Sequence, residues 1–338
     1  MSGALSRLVG RVGLGASDAP RLSVVVVVYD MAPQAARTLA SLAPGYQRDA
    51  DPEDYEVVVV ENRSADTLGE DRARQALGGV PLRYIGRDET LPSPVGAANA
   101  GLAAARAPLV ALMIDGARML TPGVVAGTLA AHRADPGSVI SAPAYHLGDD
   151  LQQVTVNRGH DAAADTRLLD GIGWPADGYR LFEVAVWSGS ARRGFLRPHS
   201  ESNYLAAPRA HWDRVGGLDP RYDSHGGGKC NLDLYKRMLE ETGAPLTLLF
   251  AEGSFHQVHG GVTTNTAGPA REAVMEAIRD QDAAIRGEGA RPPVTPARLY
   301  GTPHPAVMPF LRASLAPPGK RGKDAPKQTL NKGERVDP

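Results

Sequence analysis

The sequence predicts an α/β fold with a mixed, mostly parallel central sheet flanked by helices. Short β-branched runs alternate with helical stretches along the first half of the chain, which is typical of βαβ units. Three of these runs end on polar residues, as expected where the carboxyl ends of neighbouring parallel strands meet at one edge of a sheet. The second half lacks a sustained period, which predicts a loop-rich region within the same domain.

The predicted elements of the first half follow one another closely. We expect strands at Leu22–Val28, Tyr55–Val60, Leu82–Ile85 and Leu109–Ile114, with helices at Pro33–Leu42, Thr67–Leu77 and Pro94–Ala105. The strands are nearly continuous apolar runs, as strands buried on both faces require. Ser64 and Asp66 are candidate caps for the second helix, because their side-chain oxygens can accept bonds from the first helical N–H groups.

The second half predicts fewer elements and longer connections. Asp149–Ser200 mixes Gly, Trp, Tyr and Arg, so we expect loops with a few short strands that shape a substrate site. Order returns with a strand at Asn203–Ala206, helices at Ala210–Val215 and Asn231–Glu241, and a strand at Pro245–Phe250. Residues 1–20 are expected to form a flexible leader, and residues 301–338, which are rich in Pro and Lys, a disordered tail.

Composition and charge exclude several classes of function. The 338 residues carry 37 Lys and Arg against 38 Asp and Glu, a formal net charge of −1, which argues against a nucleic-acid partner. The longest aliphatic run is Val24–Val28, too short to span a membrane, and the basic tail supports at most peripheral contact with one. Cys230 is the single cysteine, which favours a reducing, cytoplasmic location. The oligomeric state is left open.

Polar side chains follow three of the predicted strands directly. They are Tyr29-Asp30, Glu61-Asn62 and Asp115. Ligands of open α/β sheets bind in the crevice beyond the carboxyl ends of the strands. These residues are therefore the first candidates for a binding site.

Four segments, in this order and spacing, carry a resemblance to a known family. They are Leu22–Asp30, Glu56–Asp66, and Gly96–Leu102 running into Val110–Asp115. The chain resembles family-2 glycosyltransferases with the GT-A fold over about residues 20 to 260. The resemblance implies transfer of a sugar from a nucleoside diphosphate, UDP or GDP before others, to a hydroxyl-bearing acceptor. Residues 21–145 would bind the nucleotide sugar, and residues 146–300 would bind the acceptor and hold the catalytic group.

The resemblance implies roles for the residues at the strand ends. Glu61 would accept a base N–H, Tyr29 would stack on the base beside Asp30, and Asp115 would open the Asp-x-Asp signature that holds ribose and a Mg²⁺ or Mn²⁺ ion. Ala117 stands where the second Asp of that signature is expected, so the signature supplies one carboxylate ligand to the ion instead of two. Arg118 offers a positive charge for the diphosphate instead.

A second set of cation ligands lies after the late strand. His256 and His259 are spaced His-x-x-His and flanked by Gly, and imidazole nitrogens bind divalent ions or contact phosphate. The resemblance implies a metal-binding His at this point of the fold, where His256 fits the spacing best. The predicted metal ligands are therefore Asp115, His256 and His259.

The catalytic base departs from the family pattern. Inverting members carry Glu-Asp before the helix that corresponds to Asn231–Glu241, but Cys230-Asn231 stands there, and an asparagine side chain takes no proton at neutral pH. Asp233, Glu201 and His225 are the remaining candidates. A retaining mechanism, in which the diphosphate itself assists, is equally open.

The two replaced acids also allow a function of another class. A non-catalytic module that binds a sugar nucleotide or a glycan would need neither the second Asp nor the base. It would bind a nucleotide without hydrolysing a donor sugar.

Overall fold

The computed structural model describes residues 19–89, 93–261, 268–287 and 292–315. Its strands are β1 (Leu22–Val28), β2 (Tyr55–Asn62), β3 (Leu82–Arg87), β4 (Leu109–Met113), β5 (Arg118–Leu120), β6 (Val139–Ser141), β7 (Ala144–Leu147), β8 (Ala185–Trp187), β9 (Leu205–Pro208), β10 (Leu246–Leu249), β11 (Ser254–His256) and β12 (Ala297–Tyr300). Its helices are α1 (Ala32–Ala40), α2 (Glu70–Leu77), α3 (Val95–Ala104), α4 (Val124–Ala134), α5 (Gln152–Thr155), α6 (Ala162–Gly171), α7 (Arg209–Val215), α8 (Cys230–Glu240), α9 (Gly268–Arg286) and α10 (Met308–Leu315).

Eight strands form the central sheet in the order β12-β10-β6-β9-β4-β1-β2-β3. All neighbouring pairs are parallel except those that β9 makes with β4 and β6. The predicted mixed, mostly parallel sheet is therefore confirmed. Because β1 lies between β2 and β4, the chain changes direction across the sheet beside β1, and such a switch point opens a crevice beyond the strand ends.

Helices cover both faces of this sheet, which explains the apolar character of its strands. Alternate valines of β1 contact two separate cores, one on the side of α1 and α2 and one on the side of α3 and α8. Helix α3 lies very close to the sheet, because a Cβ atom added at Gly101 would come within 2.3 Å of Val25 Cγ1. The glycine allows this close approach.

A second sheet of four strands, in the order β5-β11-β7-β8, continues from the end of β4. Its register places His256 opposite Arg118 on one side and opposite His146 on the other. The strand that follows Asp115 and the late strand that carries His256 are therefore neighbours. This pairing joins two parts of the chain that are far apart in sequence.

Most predicted elements of the first half are present with small shifts at their ends. The strand Leu22–Val28 has the predicted bounds, whereas α2 begins at Glu70 instead of Thr67. The residues between are held by Glu61, whose carboxylate accepts hydrogen bonds from the backbone N–H groups of Leu68 and Gly69. The bonds to Glu61 therefore hold the residues just before the helix, and neither Ser64 nor Asp66 caps it.

Two predictions for the second half are wrong. The stretch Asp149–Ser200 contains α5, α6 and β8 as well as loops. Its aromatic residues are partly or wholly buried: Trp187 stacks on Tyr145 with a centroid distance of 4.6 Å, in a cluster that also holds Phe182. These aromatic rings therefore pack in a small core.

The predicted disordered tail from residue 301 is also wrong in its first part. Helix α10 spans Met308–Leu315, and Val307 and Phe310 are buried in the same aromatic cluster. Apolar burial gives this segment a fixed place in the fold. Residues 1–18 of the predicted leader and 316–338 of the predicted tail lie outside the described residues. In the part of the chain that the structure describes, no helix is both long and apolar enough to cross a membrane.

Candidate active site

Asp115 lies just beyond the carboxyl end of β4, next to β1. Its Oδ1 accepts a hydrogen bond of 2.9 Å from the backbone N–H of Ala117, which closes the turn into β5. Gly116 sits against the backbone of β1, since a Cβ atom there would lie 2.7 Å from the carbonyl oxygen of Val27. A glycine at this position thus lets the turn place Asp115 at the switch point of the sheet.

Two histidines meet this carboxylate. The Nε2 atom of His256 lies 2.9 Å from Asp115 Oδ2, and that of His259 lies 3.6 Å from Asp115 Oδ1. The two Nε2 atoms are 3.0 Å apart. One donor atom from each of the three residues lies within 4.8 Å of the others, so the residues predicted as metal ligands come together as a cluster.

The loop that carries both histidines is fixed by backbone hydrogen bonds. Gln257 N–H donates to the carbonyl of Ala117 at 2.9 Å, and Gln34 Nε2 donates to the carbonyl of Val258 at 2.7 Å. The carboxylate of Asp165, on α6, accepts from the N–H of Val258. These contacts from three parts of the chain hold the His-x-x-His segment before any ligand arrives.

The protonation states in the cluster favour ligand binding at neutral pH. Burial lowers the pKa of His256 to about 4, and the positive charge of Arg118 acts in the same direction. Burial alone would raise the pKa of Asp115, but His259 and His256 outweigh it and hold that pKa well below its usual range. His256 is therefore a neutral imidazole and Asp115 an ionised carboxylate, the forms that bind metal ions.

Arg118 borders the same cluster. Its Nε atom lies 3.2 Å from Asp115 Oδ2, and its side chain is 9% exposed. In the part of the chain that the structure describes, its buried Nη1 atom has no hydrogen-bond partner. A buried guanidinium N–H with no acceptor is costly. Arg118 therefore offers an unused donor and a positive charge beside Asp115.

The residues at the end of β1 are exposed. Tyr29 is 43% exposed, and Asp30 follows it with a φ angle of +52°. The Asp30 carboxylate accepts from the N–H of Asp66 at 3.0 Å, while its own N–H donates to Ser64 Oγ at 3.1 Å. The end of β1 is thereby joined to the loop after β2, and the Tyr29 side chain is partly exposed at this edge.

Glu61 is placed differently from the expectation. It is 1% exposed, and both carboxylate oxygens are used: Oε1 accepts from Leu68 N–H, and Oε2 accepts from Gly69 N–H and the Tyr84 hydroxyl. Both oxygens of this carboxylate therefore already accept bonds from the protein, and the bond from Glu61 to a nucleotide base stays a prediction. Its role in the structure is to fix the approach to α2.

Sequence reasoning named Asn62 as part of the strand-end pair Glu61-Asn62 without giving it a role, and it missed Arg87. Asn62 and Arg87 are neighbours in the β2–β3 register. Asn62 is 3% exposed, and among the described residues neither its Oδ1 nor the buried Nε of Arg87 has a hydrogen-bond partner. Asn62 directly follows Glu61 in the same polar pair, so a signal was present. Both side chains are buried, and which of them keeps an unpaired polar atom depends on the bonds from Glu61 to the loop before α2.

The three candidates for the catalytic base have different surroundings. Asp233 is 5% exposed and paired with Arg237 at 2.8 Å and with Arg286 at 2.6 Å, so this carboxylate is fully engaged by cations. His225 is exposed in the turn before α8. Glu201 is half-buried and accepts a hydrogen bond of 3.1 Å from Asn231 Nδ2. The structure thus brings Glu201, and not Asp233, to the residue that occupies the expected position of the base.

Comparison with known proteins agrees with this architecture. Residues 23–179 match the sequence profile described as Glycosyl transferase family 2. This match confirms the predicted resemblance to family-2 glycosyltransferases over that part of the chain. Validoxylamine A glucosyltransferase of Streptomyces hygroscopicus subsp. limoneus is 28% identical over 248 residues, which cover 69% of this chain and 50% of the relative. The chain therefore spans about half the length of the curated relatives it matches.

Similar solved structures include TarS residues 1–349 of S. aureus, with a TM-score of 0.48 and 14% identity over 78% of this chain and 65% of that one. The mannosyltransferase PcManGT of Pyrobaculum calidifontis, in complex with GDP-Man and Mn²⁺, has a TM-score of 0.43 and 15% identity over 85% of this chain and 82% of that one.

Proposed function

We propose that this chain, which carries a glycosyltransferase family 2 segment at residues 23–179, transfers a sugar from a nucleoside diphosphate to a hydroxyl-bearing acceptor. One observation carries the proposal: Asp115, Arg118, His256 and His259 gather beyond the carboxyl ends of β1 and β4. Ligands of open α/β sheets bind at such a point. The guanidinium and the two imidazoles suit the dianionic diphosphate of a UDP or GDP sugar, and the carboxylate would help to hold a divalent cation beside it.

The base and ribose of the donor would lie along the ends of β1, β2 and β3. The partly exposed ring of Tyr29 offers a stacking surface, and Asp30 offers a carboxylate for hydroxyl groups. Asn62 Oδ1 and Arg87 Nε are a buried acceptor and a buried donor that find no partner among the described residues, and the edge of a base would satisfy both atoms. We therefore assign base contact to Asn62 and Arg87 in place of Glu61.

The donor set at Asp115 fits a divalent cation. One carboxylate oxygen and two imidazole nitrogens lie within 4.8 Å of one another, and Mn²⁺ accepts both ligand types, whereas Mg²⁺ prefers oxygen. Asp115, His256 and His259 would hold the ion, which would neutralise charge on the departing diphosphate. The three protein ligands leave room for phosphate oxygens, so the missing second Asp at Ala117 does not prevent binding.

Arg118 would share the neutralisation of the diphosphate. Its Nη1 has no acceptor in the described part of the chain, and a phosphate oxygen would supply one. A fixed guanidinium also makes part of the charge stabilisation independent of the ion. We therefore expect donor binding to be strengthened by Mn²⁺ without depending on it entirely.

Calorimetric titration with UDP-glucose, GDP-mannose and dTDP-glucose, each with and without Mn²⁺, tests the proposal. Glucose is the first choice because the similar curated protein is named a glucosyltransferase, and validoxylamine A is the first acceptor to offer. We expect one UDP or GDP sugar to bind and to release nucleoside diphosphate slowly. Failure to bind any of the three sugars under both conditions would contradict the proposal.

The same titration separates an enzyme from a binding module. The replacement of two family acids by Ala117 and Asn231 is the feature that favours a module. A module would bind the nucleotide but release no sugar over hours. An enzyme would hydrolyse the donor even without an acceptor, because water can take the acceptor's place.

A further inference from the structure

Glu201, Asn203 and Asn231 form a polar cluster on the acceptor side. Glu201 and Asn203 precede β9, and Asn231 lies in the first turn of α8. Asn231 Nδ2 donates to Glu201 Oε2 at 3.1 Å and lies 3.4 Å from Asn203 Oδ1. The amide group of Asn231 thus joins the segment before β9 to the first turn of α8.

This cluster lies at the same edge of the sheet as Asp115. Strand β9 runs antiparallel to β4, with Leu205 opposite Leu112. Residues that precede Leu205 therefore lie beside residues that follow Leu112. Glu201 comes four residues before this pair and Asp115 three residues after it, so the register brings both carboxylates to the carboxyl end of β4.

The backbone next to Glu201 is firmly held. Ser202 is buried, its hydroxyl accepts a hydrogen bond of 2.8 Å from Ser141 Oγ, and it donates to the carbonyl of Tyr204. A side chain that projects from such a segment keeps a defined position. This rigidity is what a catalytic carboxylate needs.

Glu201 has no neutralising cation. Within residues 19–89, 93–261, 268–287 and 292–315, no Lys, Arg or His lies within 4.0 Å of its carboxylate. Asp233, by contrast, is held by two arginines. Both oxygens of Asp233 accept bonds from guanidinium groups, whereas Glu201 accepts one amide bond among the described residues and keeps an oxygen for the proton.

Asn203 supplies a second, independent sign of a ligand at this place. It is 4% exposed, and its buried Nδ2 atom has no hydrogen-bond partner within the described residues. A buried amide donor without an acceptor is destabilising unless a bound group satisfies it. An acceptor hydroxyl oxygen beside Glu201 would accept this bond.

We propose that Glu201 is the general base of the transfer reaction and that Asn231 positions it; this assignment rests on the proposed glycosyltransferase function. Glu201 takes the proton of the acceptor hydroxyl while the hydroxyl oxygen forms a bond to the anomeric carbon. The bond from that carbon to the β-phosphate oxygen breaks, and its electron pair leaves with the nucleoside diphosphate. Attack opposite to the leaving group inverts the anomeric configuration. Asn231 cannot take the proton, but its amide N–H fixes the Glu201 carboxylate.

The test moves the carboxylate from position 201 to position 231. Glu201→Gln removes the base, and the double variant Glu201→Gln with Asn231→Asp returns a carboxylate at the other end of the same hydrogen bond. The readouts are the rate of nucleoside diphosphate release from UDP-glucose or GDP-mannose, whichever binds, together with the donor Kd and the pH profile of the rate. Glu241→Gln, an exposed carboxylate at the end of the same helix, is the matched control.

We expect Glu201→Gln to lower the rate by about 100-fold or more with a donor Kd within about twofold of the wild type, and to abolish the acidic limb of the pH profile. The double variant should recover at least about tenfold over Glu201→Gln, because the carboxylate stays within the same cluster. The sugar first released should have the inverted anomeric configuration by NMR.

Three results would overturn the assignment: a rate for Glu201→Gln within about threefold of the wild type, a double variant no faster than the single one, or retention of configuration. A loss of donor affinity in Glu201→Gln would place the residue in the donor site and reject it as the base. A wild-type protein that binds no donor sugar would defeat the proposed function itself, which the calorimetric measurement detects separately.

Discussion

The Nε2 atom of His256 lies 2.9 Å from the Oδ2 atom of Asp115, although 140 positions separate the two residues. Their meeting depends on one strand pair. Strand β5 begins three residues after Asp115, and β11 ends at His256 and pairs with β5 in antiparallel register. The small second sheet therefore acts as the scaffold that completes the proposed cation site.

A cation held by this scaffold should depend on the imidazoles. We expect His259→Ala to weaken Mn²⁺ binding by about tenfold or more, because one of three protein ligands is lost. His259 is preferable to His256 for this test, since it is less buried. Calorimetric or paramagnetic titration of the protein with Mn²⁺, without nucleotide, measures the change.

His211→Ala is the control for that titration, because His211 lies on α7 and its Nε2 contacts the carbonyl of Gly137. It should leave Mn²⁺ affinity unchanged. Equal Mn²⁺ affinity of His259→Ala and the wild type would mean that the three residues form a hydrogen-bonded cluster without a metal role.

A variant of Arg118 should show whether this residue contacts the diphosphate or the base of the nucleotide. We expect Arg118→Met to lower the affinity for UDP or GDP by about tenfold, since a charge-assisted bond to phosphate contributes about 1.5 to 3 kcal/mol. The affinity for uridine or guanosine alone should stay the same, because neither carries phosphate. A parallel loss of nucleoside affinity would show that Arg118 acts through the fold and not through the phosphates.

Glu61 and Asn62 are adjacent, but we expect their alanine variants to have opposite effects on stability and donor binding. Glu61→Ala should lower the free energy of unfolding by about 2 to 3 kcal/mol, because it removes charge-assisted bonds to two backbone N–H groups and leaves them buried. Asn62→Ala should instead weaken donor binding and change stability little, since its Oδ1 bonds to no other described residue. Urea unfolding and calorimetry with the donor sugar measure the two effects. Donor affinity that falls with Glu61→Ala while Asn62→Ala binds normally would restore Glu61 as the base contact.

These two residues also show how far sequence reasoning reaches. The apolar run of β2 and the polar pair after it predicted where a site would lie, because strand ends of a parallel sheet share one edge. The choice between Glu61 and Asn62 could not be predicted, since it depends on the contact between Glu61 and the N–H groups of Leu68 and Gly69. Such a contact is set by the packing of α2 and has no signal in local periodicity.

The acceptor side was predicted less well for a related reason. In the stretch Asp149–Ser200, α6 is short and its neighbours are aromatic residues that pack with Phe310, far along the chain. Long-range packing of this kind overrides local propensity. Glu201 and Asn231 could be proposed from spacing and family resemblance, but their hydrogen bond depends on how α8 docks against β9.

The buried histidines predict loss of stability in acid. The pKa of His256 in the folded protein is about 4 because of burial, below the value of about 6.5 expected in the unfolded chain. Between these values the unfolded state binds more protons, so stability is full above about pH 6.5 and falls as the pH drops toward 4. The loss from this group alone would be about 2 to 3 kcal/mol. Burial also lowers the pKa of His146, which adds to the loss in the same direction.

Urea unfolding at several pH values between 4 and 7 measures this dependence. His256→Gln should flatten the slope of unfolding free energy against pH across that window, whatever its effect on stability at pH 7. His225→Gln, at an exposed position, should leave the slope unchanged. A slope for His256→Gln equal to that of the wild type would contradict the burial argument.

Asp233 is predicted to stabilise the fold without taking part in proton transfer. Its carboxylate joins Arg237 on its own helix α8 to Arg286 on α9 and is 5% exposed. Asp233→Asn leaves Arg237 without its counter-charge and leaves Arg286 with Asp219 alone, so the free energy of unfolding should fall by about 3 kcal/mol. Where the variant is folded, donor hydrolysis should stay within about threefold of the wild type, because the rate depends on Glu201. Asp213→Asn, an exposed acid on α7, is the matched control for stability. A stably folded Asp233→Asn whose hydrolysis rate falls 100-fold or so, the size expected for removal of a base, would transfer the role of base from Glu201 to Asp233.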